Sequence, residues 1–532
     1  MTASLHGKHL IGDVTSAASS TTFRAVNPAT STAMEPAFHE GTDAEADRAM
    51  KLADESFDAL RSRSPADRAA LLDAIADEIM ALGDALLERC HAETALPMGR
   101  ITMERGRTMN QAKMFAAMIR DGSWLDAVID RALPDRQPLP RPDMRRMLMP
   151  MGPVVVFGAS NFPLAISVAG TDTVSALGAG CPVVVKAHPA HPGTCEMVGA
   201  AVQRALKKCG FPAGAFSLLH GKGNAIGEAL VKHPLTAAVA FTGSLRGGRA
   251  LFNLAAARPN PIPVYAELGS TNPVFVLPGA LATRGEQIAQ GYIASVTLGC
   301  GQFCTNPGLM LGLKGTALAQ LEDKIKLAAE AAAPATMLHA GIRDAYDRGI
   351  ATITATKGVS VLGSSAAAAD RAKTQAKCVI FKTDLATFQS QHQLSDEVFG
   401  PSSILIEANT REELEHFARN LEGHLTATIH GTPEDLAEYA SLVRILERKV
   451  GRIVFNGFPT GVEVAHATQH GGPYPASLDA HWTSIGSASI YRFVRPICYQ
   501  GFPDAALPAE LKNANPRGMW RVVDGVKMKD GM

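Results

Sequence analysis

Apolar positions in the first hundred residues recur every three or four places. Leu71, Leu72, Ile75, Ile79 and Leu82 share one helical face within an Ala-rich, charged stretch over residues 42–96, which predicts helix. Thr42 followed by Glu45 has the form of a capping box, so the first helix is expected to begin there. The prolines of LPDRQPLPRPDMRRMLMP, over residues 133–150, exclude helix, and the alternation after them predicts an extended arm or edge hairpin. The pattern then changes. Short β-branched runs at 154–157, 183–185, 215–219 and 237–241 alternate with Ala-rich helical stretches, which predicts a parallel sheet flanked by helices. A second α/β region covers residues 268–454, with strands expected at 274–277 and 403–406. From Tyr491 onward, aromatic and proline residues precede a polar tail, expected to pack against the other domain or a second subunit.

A chain of 532 residues exceeds the ~250–300 at which one core stops growing, so two or more domains are expected. Hydrophobic residues make up 46% and charged residues 19%, as in a packed globular enzyme. Fifty-one basic residues balance fifty-one acidic ones, leaving no overall field to hold nucleic acid or an anionic membrane surface. The N-terminus lacks an apolar signal region and no run approaches the ~18 apolar residues of a membrane span. Eight cysteines without a C-x-x-C pair suit neither a disulfide scaffold nor a zinc ribbon. A soluble cytoplasmic protein is the expectation.

Four segments carry candidate chemistry. GQFCTNPG sets Cys304 in a tight turn, where a thiol can be presented to a cleft as a nucleophile, although a lone cysteine is more often a small buried hydrophobe. AELGSTNPV places Glu267 before a Gly turn, as a general base or a surface ion-pair partner. GASNFPL places Asn161 just past a strand, where its amide can meet an oxyanion or organise an Asx turn. FTGSLRGG follows the strand ending at Phe241, and its Gly243, Ser244, Gly247 and Gly248 let a helix N-terminus face a pyrophosphate. Its spacing is neither the usual dinucleotide fingerprint nor a triphosphate loop.

Taken in order, VNPAT, ASNFPL, VVVKAHP, FTGS, AELGS, GQFC and EVFGP make the chain resemble the aldehyde dehydrogenase superfamily from Val26 to Pro401. The resemblance implies an α/β fold: a Rossmann-like dinucleotide-binding domain (residues 1–130 and 151–266), a catalytic domain (267–460), and an oligomerisation arm with C-terminal tail (131–150 and 485–532). It implies Cys304 as nucleophile, Glu267 as general base, and Asn161 with the Cys304 backbone N–H as oxyanion site. Lys186 would meet the adenosine ribose, while Glu397 and Phe399 would place the nicotinamide ribose and ring; Phe241, Thr242, Gly243, Ser244, Gly248 and Leu268 would line the dinucleotide site. No metal is required, and homodimers or homotetramers are implied. More narrowly, GASNFPLAISVAGTDTVSALGAGCPVVVKAHPAHPGT and GRIVFNGFPTGVEVAHATQHGGPYPASLDAHWTSIG resemble the branch that acts on alpha-ketoglutaric semialdehyde (2,5-dioxovalerate). Broad-range or fatty aldehydes, and a binding or structural relative without turnover, are the alternatives.

The chain departs from its relatives in two places. Lys186-Ala187-His188-Pro189 stands where many NAD-using relatives have Lys-Pro-Ser-Glu. Without that carboxylate a 2′-phosphate is not repelled, and Lys186, helped by His188 or Lys222, can pair with it, so NADP is expected to be preferred with NAD possible. The usual Pro-Phe-Gly-Gly stretch is altered around Gly471, Gly472, Pro473 and Tyr474. Phe162 is a candidate substrate-pocket wall, Cys300 is expected to pack, and Arg492 and Arg495 are expected to be structural. Which arginine clamps a substrate carboxylate is not apparent from sequence.

Overall fold

The computed structural model describes residues 5–532. Helix Asp43–Arg61 starts where the capping box predicts: the Thr42 hydroxyl accepts the Glu45 N–H at 3.3 Å and the Glu45 carboxylate accepts the Thr42 N–H at 3.0 Å. The same carboxylate accepts the Ser16 hydroxyl at 2.6 Å and the Ala18 N–H at 3.1 Å, tying the N-terminal hairpin to the helix. Burial opposes ionisation of Glu45, but these donors and His9 outweigh it and bring the group to about 2.

Five strands form the parallel part of the first sheet, in the order Val264–Glu267, Ala238–Thr242, Val154–Phe157, Val183–Lys186 and Phe216–Leu219. Their valines are buried on both faces by helices such as Thr171–Ala179 and Pro192–Lys208, which is why they read as continuous apolar runs. The sheet is not purely parallel. His9–Ile11 and Val14–Ser16 extend it antiparallel, in a segment too short and too mixed to announce strands. From Val154–Phe157 the chain builds outward to one side and then returns to the other at Ala238–Thr242. That reversal opens a crevice at the carboxyl ends of these two strands, where α/β sheets bind ligands.

The second seven-stranded sheet has Val274–Val276 and Leu309–Leu313 near its centre, with Ser402–Ala408 and His424–His430 outside them. Only Ser360–Ser364 pairs antiparallel. Glu267 ends the first sheet and Val274 opens the second, so the segment between them joins the two.

The Pro-rich connector leads into the third sheet, where Met144–Pro150 pairs with Val494–Gln500 on one side and Val128–Asp130 on the other. The expected polar tail is instead a hairpin, Arg521–Val523 with Val526–Met528, added to that sheet. Its charge misleads because Arg521, 1% exposed, is spent on backbone carbonyls, including Asn513 O at 3.3 Å, while Lys527 and Lys529 lie over the Trp520 ring at 5.5 and 5.3 Å. Arg492 is structural as expected, pairing with Asp172 at 2.6 Å at the start of Thr171–Ala179.

Both groups of that pair are buried, so removing one strands the other charge. Arg492→Ala should cost about 3–5 kcal/mol, read as a fall in the urea midpoint of unfolding. A loss below about 1 kcal/mol would show that solvent compensates Asp172.

Candidate active site

Three successive residues in the left-handed region, Gly299 (φ 56), Cys300 (φ 58) and Gly301 (φ 67), turn the chain sharply ahead of Cys304. A Cβ on Gly301 would lie 2.2 Å from the Gly400 carbonyl carbon, so only glycine lets the turn dock there. Asn272, itself left-handed at φ 44, donates its amide to the Cys304 and Asn306 carbonyls at 2.9 Å each and holds the loop from below. Cys304 is half-buried, with its side of the loop facing a cavity of about 620 Å³. Cys300 packs as expected: its thiol donates to Ala335 O at 3.2 Å, and burial pushes it up to about 12.

Glu267 and Cys304 are linked by a residue that sequence reasoning missed. His470 Nε2 lies 3.2 Å from Cys304 Sγ and 3.0 Å from Glu267 Oε1, and the imidazole and the carboxylate are both buried. The angles suit a hydrogen bond with sulfur, while the carboxylate faces the ring as a charge. Burial disfavours the Glu267 anion, but attraction to His470 and a hydrogen bond from Ser484 win, holding its carboxyl below the usual range. Crowding raises the Cys304 thiol well above its ordinary value; the Glu267 charge adds to this and Arg107 opposes it. Sulfur, imidazole and carboxylate donor atoms all within 4.8 Å of one another form a set that can also take a zinc-like ion.

His470 is placed by the altered glycine stretch. A Cβ on Gly472 would sit 2.2 Å from His424 O, and one on Gly451 2.0 Å from Gly471 O, so the chain threads between strands that tolerate no side chain there. The loop then crosses the end of the first sheet, where the Leu268 N–H donates to Ala476 O at 2.8 Å and the His470 backbone N–H donates to the Thr483 hydroxyl at 2.8 Å. The only sequence signal for His470 is a histidine directly before two glycines.

Asn161 lines the same cavity as Cys304 and gives one of its two amide N–H groups to Gln302 O at 3.1 Å, leaving the other for a ligand. Lys186, His188, Lys222, Ser244, Glu397 and Phe399 also reach this cavity, as do Phe241, Thr242, Gly243 and Leu268. Helix Leu245–Ala256 points its N-terminus at it, capped by Ser244, which accepts the Gly247 N–H at 3.2 Å. Gly248 lies behind the wall: its Cβ would meet Leu268 at 2.2 Å, so it permits close helix packing. These residues suit a dinucleotide, with helix N–H groups for phosphate and a carboxyl, Glu397, for a ribose.

Electrostatics refine the phosphate end. Burial pulls Lys186 down to about 8, with Cys195 and Glu40 opposing, so it stays largely cationic at neutral pH. His188 stacks on His191 at 5.3 Å, and burial, with the charges of His191, Lys186 and His339 adding to it, drives it well below its ordinary value. The neutral ring is favoured there, and what it offers a phosphate is an N–H. Its Nδ1 accepts the Ala190 N–H at 3.2 Å, which leaves Nε2 as that donor. A carboxylate also approaches from outside the motif, since Glu40 accepts the Lys222 backbone N–H at 3.0 Å. Phe162 does not line this cavity; it packs edge-on to Phe303 at 5.4 Å, on the far side of Asn161.

The raised Cys304 thiol makes thiolate the minor form at neutral pH, increasing as pH rises. Neutralising the adjacent charge lowers that thiol, so Glu267→Gln should speed iodoacetamide labelling of Cys304 at pH 7 by about tenfold. An unchanged rate would assign the shift to crowding alone.

Residues 14–477 match the model of the Aldehyde dehydrogenase family. Alpha-ketoglutaric semialdehyde dehydrogenase 2 of Azospirillum brasilense is 50% identical over 522 residues, covering 98% of this chain and 99% of that protein. The alpha-ketoglutaric semialdehyde dehydrogenase of Acinetobacter baylyi is 44% identical, covering 98% of each. Among solved structures, 3,6-anhydro-L-galactose dehydrogenase superposes with a TM-score of 0.79 at 21% identity, covering 93% of this chain and 99% of that one. Betaine aldehyde dehydrogenase of Staphylococcus aureus gives 0.79 at 18% identity, covering 93% and 98%. The chain thus belongs to the aldehyde dehydrogenase family, whose members oxidise aldehydes to carboxylic acids with a nicotinamide dinucleotide.

Proposed function

We propose that this chain oxidises alpha-ketoglutaric semialdehyde (2,5-dioxovalerate) to 2-oxoglutarate, with NADP preferred over NAD. The near full-length likeness to two dehydrogenases of that semialdehyde supports the substrate. The observation that carries the chemistry is the contact series from Cys304 through His470 to Glu267, at the end of the cavity that suits the dinucleotide.

Cys304 Sγ bonds to the aldehyde carbon while its proton passes to Nε2 of the neutral His470 ring, 3.2 Å away, and the imidazolium so formed faces the Glu267 carboxylate at 3.0 Å. The oxyanion that forms is met by the remaining Asn161 N–H and the Cys304 backbone N–H. A nicotinamide held in the cavity lined by Lys186, Ser244, Glu397 and Phe399 would supply the acceptor for the hydride that leaves the former aldehyde carbon. Glu267, held ionised, then removes a proton from the water that attacks the thioester, and Cys304 leaves as thiolate. His470 returns its proton to that sulfur and Glu267 releases the water's proton to solvent, so each residue ends as it began.

Lys186 supplies the cation for a 2′-phosphate, with the His188 N–H beside it, and Glu40 is the counterweight that permits NAD. The eight cysteines are all unpaired, which suits the reducing cytoplasm, and among the described residues no helix is long and apolar enough to cross a membrane. The third sheet ends in the edge strand Val494–Gln500, whose free edge suits pairing between subunits in a dimer or tetramer.

Steady-state kinetics should give the higher kcat/KM with NADP than with NAD, and with 2,5-dioxovalerate than with a series of straight-chain aldehydes. Cys304→Ala should abolish turnover and His470→Gln should lower kcat by about 10²–10⁴-fold. A maximum at long-chain aldehydes would replace the substrate reading, normal turnover by Cys304→Ala would end the mechanism, and full activity of His470→Gln would remove its role.

A further inference from the structure

We propose that Arg107 forms the binding site for the carboxylate at the far end of the aldehyde substrate, in a frame built by Arg100, Phe162 and Phe303. This deepens the substrate reading above and rests on it.

Arg100, Glu104 and Arg107 are spaced i, i+4, i+7 on helix Met98–Asp121 and so share one face. Glu104 fixes that face: its carboxylate accepts the N–H groups of Leu164 at 2.8 Å and Ala165 at 3.0 Å, just past Asn161. Arg100 is committed to structure, donating to Asn161 O at 2.7 Å with its guanidinium 4.7 Å from the Phe303 ring centre and 5.2 Å from that of Phe162.

Arg107 differs. Its guanidinium lies 5.3 Å from the Phe162 ring centre, its Nε is buried without a partner, and among the described residues it makes neither a hydrogen bond nor an ion pair. Glu104, one turn back on the same helix, is its main countercharge without reaching ion-pair distance, and Cys304, Glu267 and Glu463 act on it less strongly. A guanidinium cannot shed its charge to escape this setting, so a bound anion relieves it. Its planar fork matches a carboxylate, and the semialdehyde carries one four carbon–carbon bonds from the carbon that Cys304 attacks.

Other arginines in this region are occupied. Arg452 donates to Pro459 O at 2.8 Å and Gly461 O at 3.4 Å, and Arg492 pairs with Asp172 at 2.6 Å. Phe162, Ile166, Phe303 and Ile485 form an apolar cluster beside these arginines, the surface chemistry that the methylene carbons between the aldehyde and the anion require.

The test compares 2,5-dioxovalerate with pentanal, a neutral aldehyde of equal length, in the wild type, Arg107→Met and Arg107→Lys. The ratio of kcat/KM for the anionic over the neutral substrate should fall about 30-fold or more in Arg107→Met, chiefly through KM. Arg107→Lys, which keeps the charge and loses the fork, should lower it about fivefold, so the test does not depend on the Met variant folding. Inhibition by 2-oxoglutarate should weaken in parallel. Equal losses on both aldehydes, or an unchanged ratio in a wild type that favours 2,5-dioxovalerate, would overturn the Arg107 site alone. A wild type that favours pentanal would overturn the substrate reading and this site with it.

Discussion

A buried carboxylate 3.0 Å from an imidazole that is itself 3.2 Å from a thiol is the contact around which the molecule is arranged. Its members come from distant parts of the chain: Glu267 from the last strand of the first sheet, Cys304 from a loop before a central strand of the second, and His470 from the C-terminal crossing segment. Bringing them together requires backbone to pass where no side chain fits. A Cβ on Gly423 would lie 1.9 Å from Pro473 O, which shows how closely the crossing segment lies against the second sheet. The ionised Glu267 is stable in this dry setting because His470 and Ser484 oppose the cost of burial.

The same field sorts the acids of the site. Glu267 is held down, whereas Glu397 is pushed up by the protein around it and by Glu267 itself, with the Ser270 N–H opposing. Glu397 is exposed, which limits that rise. Two carboxyls shifted in opposite directions suit different tasks, one accepting a proton and the other placing a hydroxyl group. Gly269 makes this juxtaposition possible, since a Cβ there would lie 2.3 Å from Glu397 Oε2.

Much of the framework is legible in sequence because it depends on local physics. Thr42 and Glu45 cap a helix through their own side chains, and the valines at 154–156 and 183–185 announce strands covered on both faces. The Cys304 loop is legible from its glycines. His470 is not, because its role depends on a loop that returns from two hundred residues beyond Glu267. Asn272 is hidden for a similar reason: its amide holds carbonyls 32 and 34 residues away. The C-terminal hairpin was concealed by charge, since Arg521 is buried on carbonyls that composition does not reveal.

Asn161 and Phe162 show how a single backbone step can divide the site. The Asn161 side chain reaches the cavity shared with Lys186 and Ser244, while Phe162 turns to Phe303 and the arginines of helix Met98–Asp121. Because Glu104 binds the N–H groups of Leu164 and Ala165, the helix that carries Arg107 is tied directly to the turn that carries Asn161. A carboxylate paired with Arg107 would therefore be registered against the Asn161 amide and the Cys304 sulfur, rather than against a mobile loop. Such rigid registration converts remote binding energy into alignment at the reacting carbon.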